Sequence, residues 1–358
     1  MGAFYIIFSI VIFFMQLTVG AWFLRCYPQL GWKWPLLMSL FLTAVVYAGL
    51  TYTQTHYNGF WSSALYYVAY TWFGLVFLAF CACMGFSILL VLLKSFHVKT
   101  FWIGNASVVT ILMVWAMAFW GGFSAPKIKH IPVQIPGAPT MKLALLSDTH
   151  LGMGVSLARF DKVMSRIEAE QPDGLLVLGD IFEYGPNREA YAQRLARTRT
   201  KLGSYGVLGN HEYYVGYGDS KDFFEAAGVK LLENQTAILP NGVQVAGLKD
   251  IKTAGVRARE VAQLLDGLDK GKPTILLSHT PSLAEVASAH GANLMLSGHT
   301  HNGQLWPFTY LVRLQFPRVY GLYDVNGMAF YITSGVFYWG IPLRFLAPAE
   351  IAFIEVNS

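Results

Sequence analysis

Two hydrophobic rhythms divide the chain. Up to Phe123 the apolar residues run in long unbroken blocks, near Ala3 to Leu24, Trp34 to Gln54, Ser63 to Leu93 and Phe101 to Phe123. Each meets the span of about 20 residues that a helix needs to cross a hydrocarbon core. The third, about 30 residues long, would reach about 45 Å at 1.5 Å per residue, so it must tilt or protrude. From Lys142 onward the pattern changes to short β-rich runs: Lys142 to Leu146, Gly174 to Leu178, Tyr205 to Leu208, Val243 to Gly247, Thr274 to Leu277, Asn293 to Leu296, Met328 to Thr333 and Ile351 to Val356. Amphipathic stretches lie between them. The clearest follows Ser156, which suits an N-cap, and puts Leu157, Phe160, Val163, Met164 and Ile167 on one face. Alternation of this kind predicts a layered α/β domain. Between the two rhythms stand Pro126, Pro132, Pro136 and Pro139, too many for a helix or a central strand. The expected organisation is therefore an N-terminal four-helix transmembrane region over 1–125, a Pro-rich linker over 126–140 and an α/β domain over 141–358.

Charge sharpens the division. The first 125 residues hold no Asp or Glu and four basic residues, Arg25, Lys33, Lys94 and Lys99, which leaves 22 of the 26 Lys and Arg beside all 21 acidic residues in the remainder. That remainder is close to neutral and offers no basic face, which argues against nucleic-acid binding. Cys26, Cys81 and Cys83 all sit in the apolar half, so a disulfide framework or thiolate zinc site is excluded from the rest. No basic residue precedes the first span and no small-residue cleavage pattern follows it, which points to an uncleaved anchor. Ile6 stands where a myristoylation signal would carry Ser or Thr. Arg25 and Lys33 flank the first loop and Lys94 and Lys99 the third, whereas the second, Thr55 to Ser62, has no charge. By the positive-inside tendency the first and third loops face the cytoplasm, and the α/β domain emerges outside. The spans carry no charged residue of the kind that marks an ion pathway. Trp32, Trp34, Tyr57 and Trp61 near their ends suit the membrane interface. The spans read as an anchor that can also help to hold a lipid substrate.

The chemistry-bearing residues gather where the apolar runs of the second half end. Leu145-Leu146 lead to Ser147-Asp148-Thr149-His150, Leu176-Val177-Leu178 to Gly179-Asp180, and Val207-Leu208 to Gly209-Asn210-His211-Glu212. Likewise Ile275-Leu276-Leu277 lead to Ser278-His279, and Leu294-Met295-Leu296 to Ser297-Gly298-His299-Thr300-His301. Ligands in α/β folds collect beyond the carboxyl ends of strands, so five such ends amount to one site. Asp148 and His150 are two apart, as are His299 and His301, a spacing that keeps side chains on one face at a strand end. Carboxylate, amide oxygen and imidazole without thiolate suit Mn²⁺, Fe or Zn²⁺. Asp148, His150, Asp180, Asn210, His279, His299 and His301 exceed what one ion needs, and two ions sharing a carboxylate would use them all. Asp173, after Pro172, reads as a strand-entry cap, and Arg188, Arg194, Arg197, Arg199 and Lys201 as a solvated helix face or a contact for lipid phosphates.

This ordered set resembles the calcineurin-like metallophosphoesterases. The resemblance runs from about Met141 to Val356, with all five blocks in the family's order. Gly298-His299-Thr300-His301-Asn302-Gly303-Gln304 and the closing Gly335 to Ile351 stretch, with Pro342, Arg344 and Pro348, look most like a bacterial membrane-associated branch related to UDP-2,3-diacylglucosamine pyrophosphatases. The resemblance implies a four-layer α-β-β-α sandwich in a bacterial cell membrane, and two divalent ions, Mn first and Fe or Zn next. By it, Asp148, His150, Asp180 and His301 would hold the first metal. Asp180 would bridge to a second held also by Asn210, His279 and His299, and His211 would face the phosphate as proton donor. Glu183 departs from the Asp that members commonly carry after Gly-Asp, and Asn302 from the Gly common in this branch, so the substrate-facing edge is expected to differ.

Two cations that share a hydroxide make it a nucleophile at neutral pH and neutralise the oxygens of a phosphorus centre attacked in line. Hydrolysis of a phosphodiester or pyrophosphate bond is the expected reaction. The apolar runs Leu305 to Val312 and Phe337-Tyr338-Trp339 read either as core or as a surface beside the metals that admits a lipid tail. Since soluble phosphoesters do not require four spans, a lipid or glycolipid phosphoester is the expected substrate. The alternatives are a membrane-anchored hydrolase of soluble phosphoesters such as nucleotides and a non-catalytic metal-binding scaffold. Glu212 carries no assigned role, and nothing in the sequence sets the oligomeric state.

Overall fold

The computed structural model describes residues 2–56, 59–93 and 99–358; Tyr57 and Lys94, used above, lie outside the described residues. Contacts divide the chain into two units. One is the chain to Phe123 together with Gly340–Leu346, and the other is Ser124–Trp339 with Ala347–Ser358.

The first unit is built on helices α1 (Gly2–Cys26), α2 (Lys33–Thr55), α3 (Phe60–Leu92) and α4 (Thr100–Phe123). All four are long and apolar enough to cross a membrane. In hydrocarbon a polar group must find its partner inside the protein, and here Trp22 Nε1 donates to Ser107 Oγ at 2.9 Å and Trp115 Nε1 to the Leu75 carbonyl at 2.9 Å. Small residues let the backbones close up: a Cβ on Gly104 would stand 2.7 Å from Cys26 Cβ, and one on Gly20 2.6 Å from Pro35 Cβ. The same device corrects the expected domain boundary. Gly340–Leu346 packs on α4, where a Cβ on Gly121 would meet the Arg344 carbonyl at 2.2 Å and one on Gly122 the Pro342 carbonyl at 2.3 Å, and Arg344 N donates to the Ala118 carbonyl at 3.0 Å. Nothing in the hydropathy of Gly340–Leu346 distinguishes it from a core segment, so only the notch on α4 reveals its place.

The second unit pairs two six-stranded sheets. The first contains β1 (Lys127–Gln134), β2 (Met141–Leu146), β3 (Gly174–Val177), β4 (Ser204–Gly206), β5 (Lys230–Leu231) and β12 (Glu350–Asn357), in the order β1-β12-β2-β3-β4-β5. The second contains β6 (Gln235–Ile238), β7 (Gln244–Gly247), β8 (Thr274–Leu277), β9 (Leu294–Ser297), β10 (Gly321–Val325) and β11 (Met328–Ile332), in the order β10-β11-β9-β8-β7-β6. β2, β3, β4 and β5 run parallel, as do β7, β8, β9 and β11. Strand residues alternate faces. Leu143, Leu145 and Leu176 therefore meet Val245, Ile275 and Leu294 between the sheets, while Ala144, Leu146, Leu175 and Val177 turn outward.

Helices cover both outer faces and complete four layers, α-β-β-α. Outside the first sheet lie α5 (Leu157–Ala169), α6 (Arg188–Ala196), α7 (Asn210–Val215) and α8 (Tyr217–Ala226); outside the second lie α9 (Ala258–Asp266) and α10 (Ala284–Ala289). The expected cap on α5 forms, with Ser156 Oγ accepting from Arg159 N at 3.3 Å. Phe160, Val163, Met164 and Ile167 are all buried on the first sheet, each contributing about 1.5–3 kcal/mol of transfer free energy. The expected linker over 126–140 is in part a strand: β1 pairs parallel with β12 from Lys127↔Glu350 to Gln134↔Asn357. β1 is an edge strand, and an edge can place the missing donor of Pro132 on its unpaired side. Ile131 and Val133 are buried two apart, a period-two signal that the prolines mask.

Candidate active site

Parallel strands bring their carboxyl ends to one side. β2, β3 and β4 of the first sheet end in the loops carrying Asp148 and His150, Asp180, and Asn210 and His211; β8 and β9 of the second end at His279, His299 and His301. The backbone then departs from strand geometry. Asp148 (φ 53°), His150 (41°), Asp180 (51°), His299 (72°) and His301 (49°) are all left-handed. Such positions cost of order 1–3 kcal/mol each and persist where surrounding structure holds them for a function. Asp148 and His150 come together as their two-residue spacing led one to expect, but the same expectation is corrected for the second pair. His299 and His301 do not share a face: one donor group joins Asp148, His150 and His301, and another joins Asp180, His279 and His299, with the donor atoms of each group within 4.8 Å of one another.

Within the first group, His150 Nε2 faces His301 Nε2 at 3.0 Å, and Asp148 Oδ1 lies 3.3 Å from His301 Nε2. Within the second, His279 Nε2 lies 3.1 Å from Asp180 Oδ2 and 3.2 Å from His299 Nδ1. Asp180 Oδ2 is also 3.9 Å from His150 Nε2, so this one carboxylate stands between the groups. Imidazole nitrogens that face each other need a proton or a cation between them. His279 Nδ1 meets the Leu178 carbonyl at 2.7 Å, which places a proton on Nδ1 and turns Nε2 toward Asp180 and His299. Asn210 Oδ1 is buried without a hydrogen-bond partner. A buried acceptor without a donor is costly, and a divalent cation would satisfy it. The donor set and its orphaned oxygen thus fit hard or borderline metal ions.

Two carboxylates that the sequence left unassigned organise the rest. Glu183 Oε1 meets His150 Nδ1 at 2.7 Å and lies 2.5 Å from His211 Nδ1, the second contact close but outside hydrogen-bond alignment. His150, Glu183 and His211 also form a compact donor group. Because the two nitrogens of an imidazole point apart, Glu183 sits across the His150 ring from His301. Glu212 is buried and accepts three backbone N–H groups, from Gly209 at 2.7 Å and Asp180 at 2.9 Å on Oε2, and from Ile181 at 2.6 Å on Oε1. It ties the Asp180 loop to the Asn210 loop. The Gly209-x-x-Glu212 spacing is a helix-capping signal that could have revealed it.

The charges follow from burial and proximity. Burial pushes the Asp148 carboxyl above its ordinary value against the pull of His279. Burial acts the same way on Asp180, but His279, His211 and His150 outweigh it and hold that carboxyl well below the usual range. Glu183, despite burial, is drawn to about 2 by His211 and His150. His211 is correspondingly lifted to about 9, since Glu183 and Asp180 overcome its desolvation. Burial and the His279 charge pull His299 down to about 4.

Other expectations divide. Arg194 is not on a solvated face: it is buried against Glu168 at 2.8 Å and pairs with Asp161. Arg188 pairs with Asp219 at 2.9 Å, while Arg197 and Arg199 are exposed. Asp173 Oδ2 accepts from Lys142 N at 2.8 Å, holding the starts of β2 and β3 together. Leu305, Phe337 and Tyr338 are core, whereas Trp306, Phe308, Tyr310 and Leu311 are exposed. Trp339 is half exposed with its ring 5.7 Å from that of His211, and Gln304 holds its backbone through both amide atoms.

Oxygen and nitrogen donors held dry at the ends of two packed sheets make a hydrolase that works through bound metal, and known proteins agree in class. The family model for calcineurin-like phosphoesterase matches residues 141–303, which include all five loops. A metallophosphoesterase of Campylobacter jejuni is 32% identical over 257 residues, 70% of this chain and 68% of that protein. One from Helicobacter pylori is 34% identical over 248 residues, 66% and 67% of the two chains. A transmembrane protein with metallophosphoesterase domain from Danio rerio is 31% identical over 276 residues, 70% of this chain and 63% of that one. The chain belongs to the calcineurin-like phosphoesterase family, and it is a metal-dependent phosphoester hydrolase.

Proposed function

We propose that this membrane protein hydrolyses a phosphodiester or pyrophosphate bond in a lipid or glycolipid, as a member of a branch related to the UDP-2,3-diacylglucosamine pyrophosphatases. The observation that carries the lipid class is that one chain joins the phosphoesterase site to four helices long and apolar enough to cross a membrane. The half-exposed Trp339 beside His211 supports it, since it sets apolar surface where a leaving group would depart.

Asp148, His150, Asp180 and His301 would hold one divalent ion, and Asp180, Asn210, His279 and His299 a second, with Mn²⁺ the first choice. Asp180 would serve both sites, since its Oδ2 stands 3.1 Å from His279 Nε2 and 3.9 Å from His150 Nε2. When bound, the ions supply a water nucleophile at neutral pH and neutralise phosphoryl oxygens. His211 gives the proton to the leaving oxygen. Glu183 keeps it charged for that task, while the His211 backbone N–H is fixed on Asp180 Oδ1 at 2.9 Å. Phosphoryl charge would meet His211 as a cation. The positive-inside reading places this domain outside the cytoplasm.

The test is hydrolysis by the full-length protein with Mn²⁺, offered long-chain lipid phosphodiesters and pyrophosphates in vesicles beside nucleotides and an aryl phosphodiester in solution. Turnover of a lipid at a kcat/KM above that of every nucleotide is the expected result. Nucleotide cleavage without any lipid cleavage would sink the lipid reading.

A further inference from the structure

The helix that follows the His299–His301 loop is built inside out. α11 (Phe308–Gln315) has no buried residue. Trp306 is 43% exposed, Tyr310 57%, Leu311 55% and Leu314 84%. A helix on a globular domain normally turns its apolar stripe inward. Here Tyr310, Leu311 and Leu314, at spacings of one and four, form a stripe that faces away from the protein. Contiguous exposed apolar surface of this kind marks an interaction site.

Charge identifies the occupant. From Val286 to Tyr323 the chain has no Asp or Glu and two Arg, of which Arg318 pairs with Glu285 at 2.8 Å and Arg313 is exposed on α11. An exposed apolar stripe carrying aromatic residues and a cation, in a stretch of chain without acidic residues, is the pattern of a helix lying in a bilayer interface with anionic headgroups. The chain that carries it also carries four helices long and apolar enough to cross a membrane.

α11 grips the loop that presents two of the histidines at both of its ends. Thr309 Oγ1 donates to the Asn302 carbonyl at 2.9 Å, and the approach is so close that a Cβ on Gly303 would stand 2.5 Å from Thr309 Cα. At the far end the buried Phe316 caps the helix and sets its ring 5.3 Å from that of His299, edge to face. We propose that α11 is an interfacial helix that lies in the surface of an anionic bilayer, and that its docking there holds the His299–His301 loop in its working position. The hydrolase is then activated by its own membrane. The inference rests on the proposed function only in that the site hydrolyses phosphoesters, not in the substrate being a lipid.

The experiment uses the full-length protein with Cys26, Cys81 and Cys83 replaced by Ala and a nitroxide on Leu314→Cys, in vesicles containing phosphatidylglycerol. A nitroxide on Lys230→Cys, an exposed position elsewhere on the domain, is the reference. Expected is collision with oxygen above that with an aqueous nickel chelate at position 314 and the reverse at 230. Equal nickel access at both positions would overturn the docking. Shielding at 314 that appears only as protein is crowded into the vesicles would overturn it in favour of a second copy of the chain. The coupling is read with a water-soluble aryl phosphodiester. Wild-type turnover should rise at least about fivefold from neutral detergent to anionic vesicles, the low end of typical coupling. Leu311→Glu with Leu314→Glu should abolish that rise, and a rise unchanged in the double variant would overturn the coupling. A docked α11 with no hydrolysis of any lipid would reject only the lipid substrate.

Discussion

Glu212 offers the sharpest test of how the site is held together. Its two oxygens satisfy three buried N–H groups, Gly209 and Asp180 on Oε2 and Ile181 on Oε1. Removing a partner and leaving a buried donor unsatisfied costs about 1–3 kcal/mol. Glu212→Ala strips all three, about 3–9 kcal/mol on that scale, which rivals the roughly 5–15 kcal/mol that separates a folded domain from its unfolded chain. Glu212→Gln is graded. Its amide can put the remaining oxygen on Gly209 and Asp180 and turn its NH₂ toward Ile181, leaving one donor unmet at about 1–3 kcal/mol. For a unit of this size that corresponds to a fall in Tm of about 2–12 °C. Differential scanning fluorimetry of the full-length protein, in chelator at one scan rate, keeps metal linkage out of the comparison. The expected order is wild type, then Gln, then Ala, with Ala failing to accumulate or melting far below the others. Since one of the three donors belongs to Asp180, the Gln variant should also bind Mn²⁺ more weakly. An Ala variant that melts within about 2 °C of wild type would refute the clamp, because a loss that small is under one unsatisfied donor.

Four further outcomes follow from the same geometry. His211→Ala should retain both metals by elemental analysis and lose about 10²- to 10⁴-fold in kcat; loss of metal would instead make His211 a ligand. Gly209→Ala should release at least one ion, because the new Cβ would stand 2.1 Å from Asp180 Oδ1, and full metal occupancy would contradict the packing. Glu183→Gln removes a charge that raises His211 to about 9. His211 acts when protonated, so activity is present below its pKa and lost above it, and the variant's alkaline limit should move to lower pH, with a loss of about 10- to 100-fold in activity. An unmoved limit would separate Glu183 from the proton donor. A cysteine at Asn187, in an exposed loop, should react in intact cells with a membrane-impermeant maleimide; labelling only after permeabilisation would place the domain in the cytoplasm.

The sequence by itself determined the composition of the site. Carboxylate, amide and imidazole follow five apolar runs, and each run is buried enough to be a strand whichever sheet receives it, so the placement of Asp148, Asp180, Asn210, His279 and His301 at strand ends needed no tertiary knowledge. The four apolar helices were equally plain, since hydropathy over about 20 residues is a local property. Other features depend on which elements become neighbours. β1 was hidden because an edge strand tolerates prolines that a central strand cannot. Gly340–Leu346 joined the helices because Gly121 and Gly122 leave a notch that hydropathy does not record. The division of His299 from His301 arose from left-handed backbone at both residues, which turns side chains two apart toward different donor groups. Glu183 gained its role from contacts 28 and 33 residues away, and Glu212 chiefly from contacts 31 and 32 residues away, at separations that no spacing rule specifies, and α11 disclosed its outward apolar stripe only once the core it fails to join was in place. Local chemistry is written in the order of residues, whereas the pairing of charges and the choice of exposed face are settled when distant segments meet.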